Sequence, residues 1–293
     1  MRKFISSNSA YLLWFIIYFT MAWFIAWLIV GTTLKSFLIV LAIYAVSITI
    51  ALSPVGELIL ILVENCRLPA TDQERAYLTP IFEEVYEQAK NAIPSLNRKI
   101  NLYIMDAMYV NAFAIGRKTV AVTRGAIEAF TEEELKGVLA HELGHMTYGH
   151  TKALLLSVIG NFFFTIIVWI LRLLLSIADA VSTALANVNV VGIVFWLIAL
   201  VIKIIGEISI FIFVNLGEVI LALNSRSNEI QADGFSFSIG YGQEQISALY
   251  LLQKITMNTK LTLSEKMKAS HPHLAYRIEY LEKLENGEIT VEI

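Results

Sequence analysis

Apolar residues in this chain gather in long runs, and the segments between the runs carry helical or strand spacing. A bilayer core takes about 20 apolar residues in a helix, and four runs reach that length. The first, Ala10 to Val30, contains no charged residue. The second extends from Leu34 to about Val55, with Lys35 at its start and Pro54 near its end. The third, Ala153 to Leu175, is interrupted by Asn161 and Arg172. The fourth, Val190 to about Leu223, is too long for one perpendicular crossing. Its first two-thirds are expected to span and its last third to emerge into water.

The polar segments read differently. Thr71-Asp-Gln-Glu74 is a capping-box pattern that opens a helix. Thr79-Pro80 supplies a second start, with Pro at the first helical position, and that helix runs to about Ile93. Lys99 to Ile104 alternates as a strand, and Ala112 to Ile115 and Thr119 to Val122 give two more around Gly116. Thr131-Glu-Glu-Glu134 is another capping box, its glutamates suited to the positive end of the helix dipole. Further helices are expected around 225–238, 243–257 and 274–285. The fold class is therefore a mostly α-helical membrane protein: four transmembrane helices with a split α+β domain on one membrane face. Residues 1–63 form an N-terminal transmembrane hairpin, 64–152 the first part of the polar domain, 153–223 a second hairpin, and 224–293 the second part.

Composition supports this and narrows the function. The chain is 57% hydrophobic and 16% charged, where a soluble domain carries about a quarter charged residues. A net charge of −3 argues against nucleic acid, which calls for a clustered basic face. Cys66 is the single cysteine, so an intrachain disulfide framework and a multi-cysteine zinc site are excluded. MRKFISSNS precedes a run too long for a signal-peptide core, with no small-residue cleavage site after it, so a retained helix is expected. Of the 22 Lys and Arg residues, only Lys35, Arg172 and Lys203 fall opposite the bulk, and 178–189 has none. Both termini and both polar segments are accordingly expected in the cytoplasm, on a multi-pass protein of the plasma or inner membrane.

Three of the five histidines lie in VLAHELGHMTYGHT, residues 138–151. His141 and His145 are four apart and stack on one helical face, two corners of a tetrahedral zinc. Glu142, about 100° around from His141, stands beside such a metal rather than on it, where a general base for the attacking water belongs. Gly137, Ala140 and Gly144 make a small-residue stripe along which the helix of a third ligand is able to approach. His150 lies about 180° from His141 on a continued helix and is expected to point away, at the membrane edge. A metzincin pattern needs Gly at 148 and His at 151, where this chain has Tyr148 and Thr151. For the third ligand, SRSNEIQADG at 225–234 presents Glu229 and Asp233 to one side of a helix. Glu229 would complete a His₂Glu site, and Asp233 would accept the other ring N–H of a ligating histidine. Arg226 would pair with either acid in a structural role.

H-E-L-G-H followed, after a membrane-spanning insertion, by E-I-Q-A-D resembles the HtpX-type membrane metalloproteases, gluzincin relatives of the CAAX prenyl proteases. The likeness extends over essentially the whole chain. It implies a zincin-like catalytic domain, one zinc ion per chain, and protein or peptide substrates, membrane proteins above all, in quality control. Asn111, Ala112, Phe113 and Ala114 resemble the family's edge strand, which implies pairing with substrate backbone. His271 and Arg277, with Ser270 and Pro272, resemble a pair that steadies the oxyanion, a role with a physical basis in the charge that builds on the carbonyl oxygen.

The reading is thus a zinc endopeptidase at the cytoplasmic membrane face, its oligomeric state open. Prenyl-protein processing and a catalytically silent scaffold are the alternatives. Site-2-type proteolysis is disfavoured, because Glu132 to Glu134 precede the motif within three turns. Lys203 and Glu207, four apart inside the fourth run, are expected to pair internally, since lone charges there are costly. Glu207, Glu218 and Glu229 recur every 11 residues, an acidic stripe leading from mid-membrane to the metal.

Overall fold

The computed structural model describes residues 9–96, 98–158, 162–186, 190–257 and 274–291. Two apolar helices open the chain, α1 (Ser9–Val30) and α2 (Thr33–Leu52). They pack through aromatic edges, Phe15 and Phe19 against Tyr44 with ring centroids 5.0 and 5.2 Å apart. Ser53 caps a short third helix, α3 (Pro54–Val63), by accepting from the Val55 N–H, and Pro54 at its start turns the chain. The run read as ending near Val55 therefore continues as a separate helix rather than as more of the span.

The polar part follows in the order β1 (Cys66–Arg67), α4 (Asp72–Ala92), β2 (Asn101–Met105), β3 (Ala112–Ile115), β4 (Thr119–Thr123), α5 (Arg124–Ala129) and α6 (Glu132–Tyr148). Both capping boxes form. Thr71 and Thr131 each accept from the backbone of Glu74 and Glu134, and each glutamate reaches back to the cap N–H. The second helix start expected at Thr79-Pro80 is absent, and α4 runs through Pro80 unbroken. Leu78, Ile81, Phe82, Val85 and Ala89 bury one continuous face there, which outweighs the single backbone bond that proline forgoes.

The sheet has the order β1-β2-β4-β3, with β2 and β4 parallel and both outer strands antiparallel to their neighbours. Its core joins α4, the sheet, α6 and the end of a much later helix, through Val85, Val120, Leu139, Leu143 and Phe235.

Beyond α6 the chain departs from the hydropathy reading. α7 (His150–Val158) starts after the Gly149 turn, and its Leu155 packs with Ala51, Leu60, Ile61 and Ile115 instead of facing lipid. α8 (Phe162–Ala186) follows, and its span-length window is Val168–Ala186 rather than Ala153–Leu175. Residues 176–186, past the expected end of the third run at Leu175, thus belong to this helix. Asp179 is tolerated in it because Lys203 Nζ lies 2.7 Å from its Oδ2. The expected Lys203–Glu207 pair does not form; Glu207 meets Arg172 across the hairpin at 3.5 Å. Both pairs join α8 to α9 (Val190–Ser238), a single 49-residue helix. A separate helix at 225–238 was expected, but α9 contains no proline and runs through its glycines as one helix, carrying the fourth span (Val190–Ile208) directly into the polar part. α10 (Gly242–Met257) and α11 (Leu274–Glu285) close the fold. Among the described residues, four helices are long and apolar enough to cross a membrane.

Candidate metal centre

Three elements converge on one buried point. α6 brings His141, Glu142 and His145; α9 brings Glu229 and Asp233; α11 brings Arg277. Small residues make the convergence possible. A Cβ on Gly144 would sit 3.0 Å from Ala232 Cα, so α6 and α9 touch nearly backbone to backbone. Gly137 plays the same part against the Glu244–Gln245 backbone of α10.

The nitrogen and oxygen spacing is that of a ligand set. His141 Nε2 and His145 Nε2 are 3.1 Å apart. The Glu229 carboxylate straddles them, one oxygen 3.4 Å from each ring nitrogen. Corners of a tetrahedron with bonds of about 2.0–2.1 Å are separated by about 3.3–3.4 Å, close to these spacings, with Glu229 Oε2 facing His141 and Oε1 facing His145, so the donor set fits zinc. Glu142 is 3% exposed and presents an oxygen within 4.8 Å of both imidazoles.

Asp233 and Arg277 complete the interior. Asp233 Oδ1 lies 2.9 Å from His141 Nδ1, which turns the Nε2 lone pair toward the site. Arg277 grips Asp233 with Nε and Nη2, both at 2.7 Å, and holds Glu229 Oε2 with Nη1 at 2.7 Å. It is Arg277, not the exposed Arg226, that lies against these acids. The guanidinium expected to face an oxyanion is thus engaged on both carboxylates. Burial pushes the Asp233 carboxyl upward, but the Arg277 and His141 charges and hydrogen bonds overcome this and hold it at about 2. Burial and Arg277 press His141 downward; Asp233 and Glu229 prevail and raise it to about 9. The acids therefore favour positive charge at His141, as a proton or a metal ion supplies it.

His150 corrects the helical-wheel reading. The chain does not continue as helix: Gly149 adopts φ +79°, its N–H bonds to the His145 carbonyl, and α6 stops there. The turn folds His150 back, buried, with its Nδ1 2.9 Å from His145 Nδ1. Burial, then the neighbouring His145, lower its value to about 3. The signal was in the sequence, since Gly after a helical run is the usual left-handed cap.

Asn111 to Ala114 lie at the sheet margin. Among the described residues β3 pairs only with β4, and the Asn111 N–H bonds Thr123 Oγ1 at 3.0 Å. Ala112 and Ala114 are buried, and Phe113 is half-buried. His271 lies outside the described residues, and the Glu218 side chain is likewise outside those described.

The model of Peptidase family M48 matches residues 72–285. Protease HtpX of Pasteurella multocida (strain Pm70) is 29% identical over 257 residues, 81% of this chain and 80% of that protein. Protease HtpX of Mannheimia succiniciproducens is 30% identical over 234 residues, 73% and 75% of the two chains. A crystal structure of S. mikatae Ste24p overlaps with a TM-score of 0.48 at 18% identity, over 95% of this chain and 63% of that one. Matched from the first residue of α4 to the last of α11, the chain belongs to peptidase family M48.

Proposed function

We propose that this HtpX-like membrane metalloprotease is a zinc endopeptidase acting at the cytoplasmic membrane face. The observation that carries the zinc reading is the His141–His145–Glu229 cluster, its two Nε2 atoms 3.1 Å apart and each 3.4 Å from a different oxygen of Glu229, with Glu142 beside it. A zinc ion held there supplies Lewis acidity that polarises the scissile carbonyl and makes a water more acidic. Glu142 takes the proton from the attacking water and returns it to the leaving amine. Asp233 keeps His141 in the tautomer that ligates, and Arg277 orients both carboxylates. The outer edge of β3, residues Asn111 to Ala114, aligns an extended substrate by strand addition. His271 is the candidate oxyanion donor, because Arg277 has its donors turned to Asp233 and Glu229.

The cytoplasmic placement rests on charge. Arg172 and Lys203 lie within spans and are paired with acids. Lys35 is then the remaining cation of the three that sequence placed opposite the bulk. Substrates are proteins at or in the bilayer, consistent with membrane quality control. The test is metal content and cleavage of a membrane-protein substrate, native chain against Glu142→Gln. One zinc per chain in both, with cleavage lost by about 10²–10⁴-fold in the variant, is expected. A native chain without zinc, or a variant that cleaves equally well, overturns the reading.

A further inference from the structure

We infer that His150 is a positioning residue for the metal centre: it fixes the tautomer of His145 and struts the turn after α6 to α9. The inference rests on the zinc reading above and deepens it.

A chain of hydrogen bonds starts on α9. The Gln231 amide nitrogen is directed to Ser227 Oγ at 3.2 Å, which leaves the amide oxygen to accept. His150 hydrogen-bonds the Gln231 side chain. Its Nδ1 already faces His145, so the ring atom that donates to Gln231 is Nε2. A neutral imidazole that donates through Nε2 has a lone pair on Nδ1. That lone pair accepts the proton of His145 Nδ1 across 2.9 Å. His145 is thereby left with a lone pair on Nε2, the atom 3.1 Å from His141 Nε2. The opposite polarity, His150 donating to His145, would put the proton on His145 Nε2 and spoil it as a ligand.

The two ligand imidazoles are thus set by different partners. His141 gives its Nδ1 proton to Asp233, a carboxylate on α9, while His145 gives its own to a second imidazole. Gly149 is what permits this: only its left-handed φ of +79° brings a residue five positions on back over His145. Gln231 lies on α9 with Glu229, so the strut ends on the helix that carries the third ligand. Metal-bound histidines are oriented by the acceptor behind them, and losing such a partner costs about 10–100-fold in metal affinity.

The experiment uses the full chain in detergent and reads zinc affinity by chelator competition, with circular dichroism to follow folding. His150→Phe fills the same space without an acceptor; zinc binding is expected to weaken about 10–100-fold. His150→Asn restores a side-chain acceptor and is expected to recover much of the loss. Gln231→Leu, which leaves the ring in place but frees its tautomer, is expected to fall between native and His150→Phe. It also serves as the deciding variant if His150→Phe does not fold. Zinc affinity within twofold of native in folded His150→Phe, or in Gln231→Leu when that is the deciding variant, overturns the inference while leaving the enzyme reading intact. A native chain that binds no zinc overturns the enzyme reading first.

Discussion

Arg277 and Asp233 meet as a buried bidentate pair, Nε to Oδ2 and Nη2 to Oδ1, each at 2.7 Å, with side chains 3% and 0% exposed. They come from helices at opposite ends of the second polar segment. The same guanidinium also reaches the carboxylate of Glu229, the proposed third ligand. Arg277→Lys keeps the charge but loses the planar fork. It is expected to weaken zinc binding about tenfold or more. Arg277→Ala leaves two acids buried together and is expected to cost about 3–5 kcal/mol. Chelator competition and chemical denaturation measure the two effects; equal behaviour of Lys and Arg here would refute the fork argument.

Gly144 holds α6 against α9. Gly144→Ala places its Cβ 3.0 Å from Ala232 Cα and 3.1 Å from the Ala232 carbonyl oxygen, both backbone atoms that do not yield by rotation. The expected result is a loss of about 1–3 kcal/mol together with weaker zinc binding, because Glu229 rides on the displaced helix. Gly206→Ala meets only the flexible tip of Leu175 on its way through the span. It is expected to be near neutral in the same thermal melt, which makes it the control.

Lys203 and Asp179 bridge the second hairpin at 2.7 Å. Lys203→Leu strands a carboxylate in a spanning helix and is expected to destabilise by about 3 kcal/mol. The double change to leucine removes both charges and should regain most of that. A double variant no more stable than the single one, in detergent melts, would show that the pair is not what makes Asp179 tolerable.

Stability at acid pH is expected to depend on Glu74. Arg67, the Ala70 N–H and Arg124 hold its carboxyl well below the usual carboxylate range, and Arg67 and Arg124 also lower Asp106. A carboxyl depressed in the folded state adds stability that is complete above its unfolded value. That stability is lost as pH falls through about 4 and below. Unfolding midpoints between pH 7 and 3 should therefore drop most steeply at the acid end. Glu74→Gln is expected to start lower at pH 7 and to show a shallower fall.

Much of the arrangement was legible because local chemistry dictates it. The capping boxes at Thr71 and Thr131, the alternating strands and the HExxH face are short-range signals, and they form where the pattern places them. Glu229 and Asp233 were legible as one helical face, and the structure brings both to His141. What failed was counting through a break. A wheel drawn past Gly149 sends His150 outward, whereas the left-handed cap returns it to His145. Hydropathy also misplaced the third span, because it registers apolar content and not the partner. The apolar face of α7 is taken up by α2, α3 and β3, and Asp179 is carried into the membrane helix by a residue 24 positions away. The grip of Arg277 on two carboxylates was beyond reach for the same reason, since Arg226 lies nearer in sequence and Arg277 nearer in space.

The unbroken length of α9 joins the fourth span to the candidate metal centre in one rigid rod. Glu229 stands 21 residues past the end of the fourth span window at Ile208, an arm of about 31 Å at 1.5 Å per residue. A tilt of the span by about 5° swings the tip of such an arm by about 2.7 Å. That excursion is comparable with the 3.1 Å between His141 Nε2 and His145 Nε2, so the tilt of the span is expected to bear on how Glu229 meets them. Gly144 against Ala232 and Arg277 across Glu229 and Asp233 are the clamps that steady the arm's end.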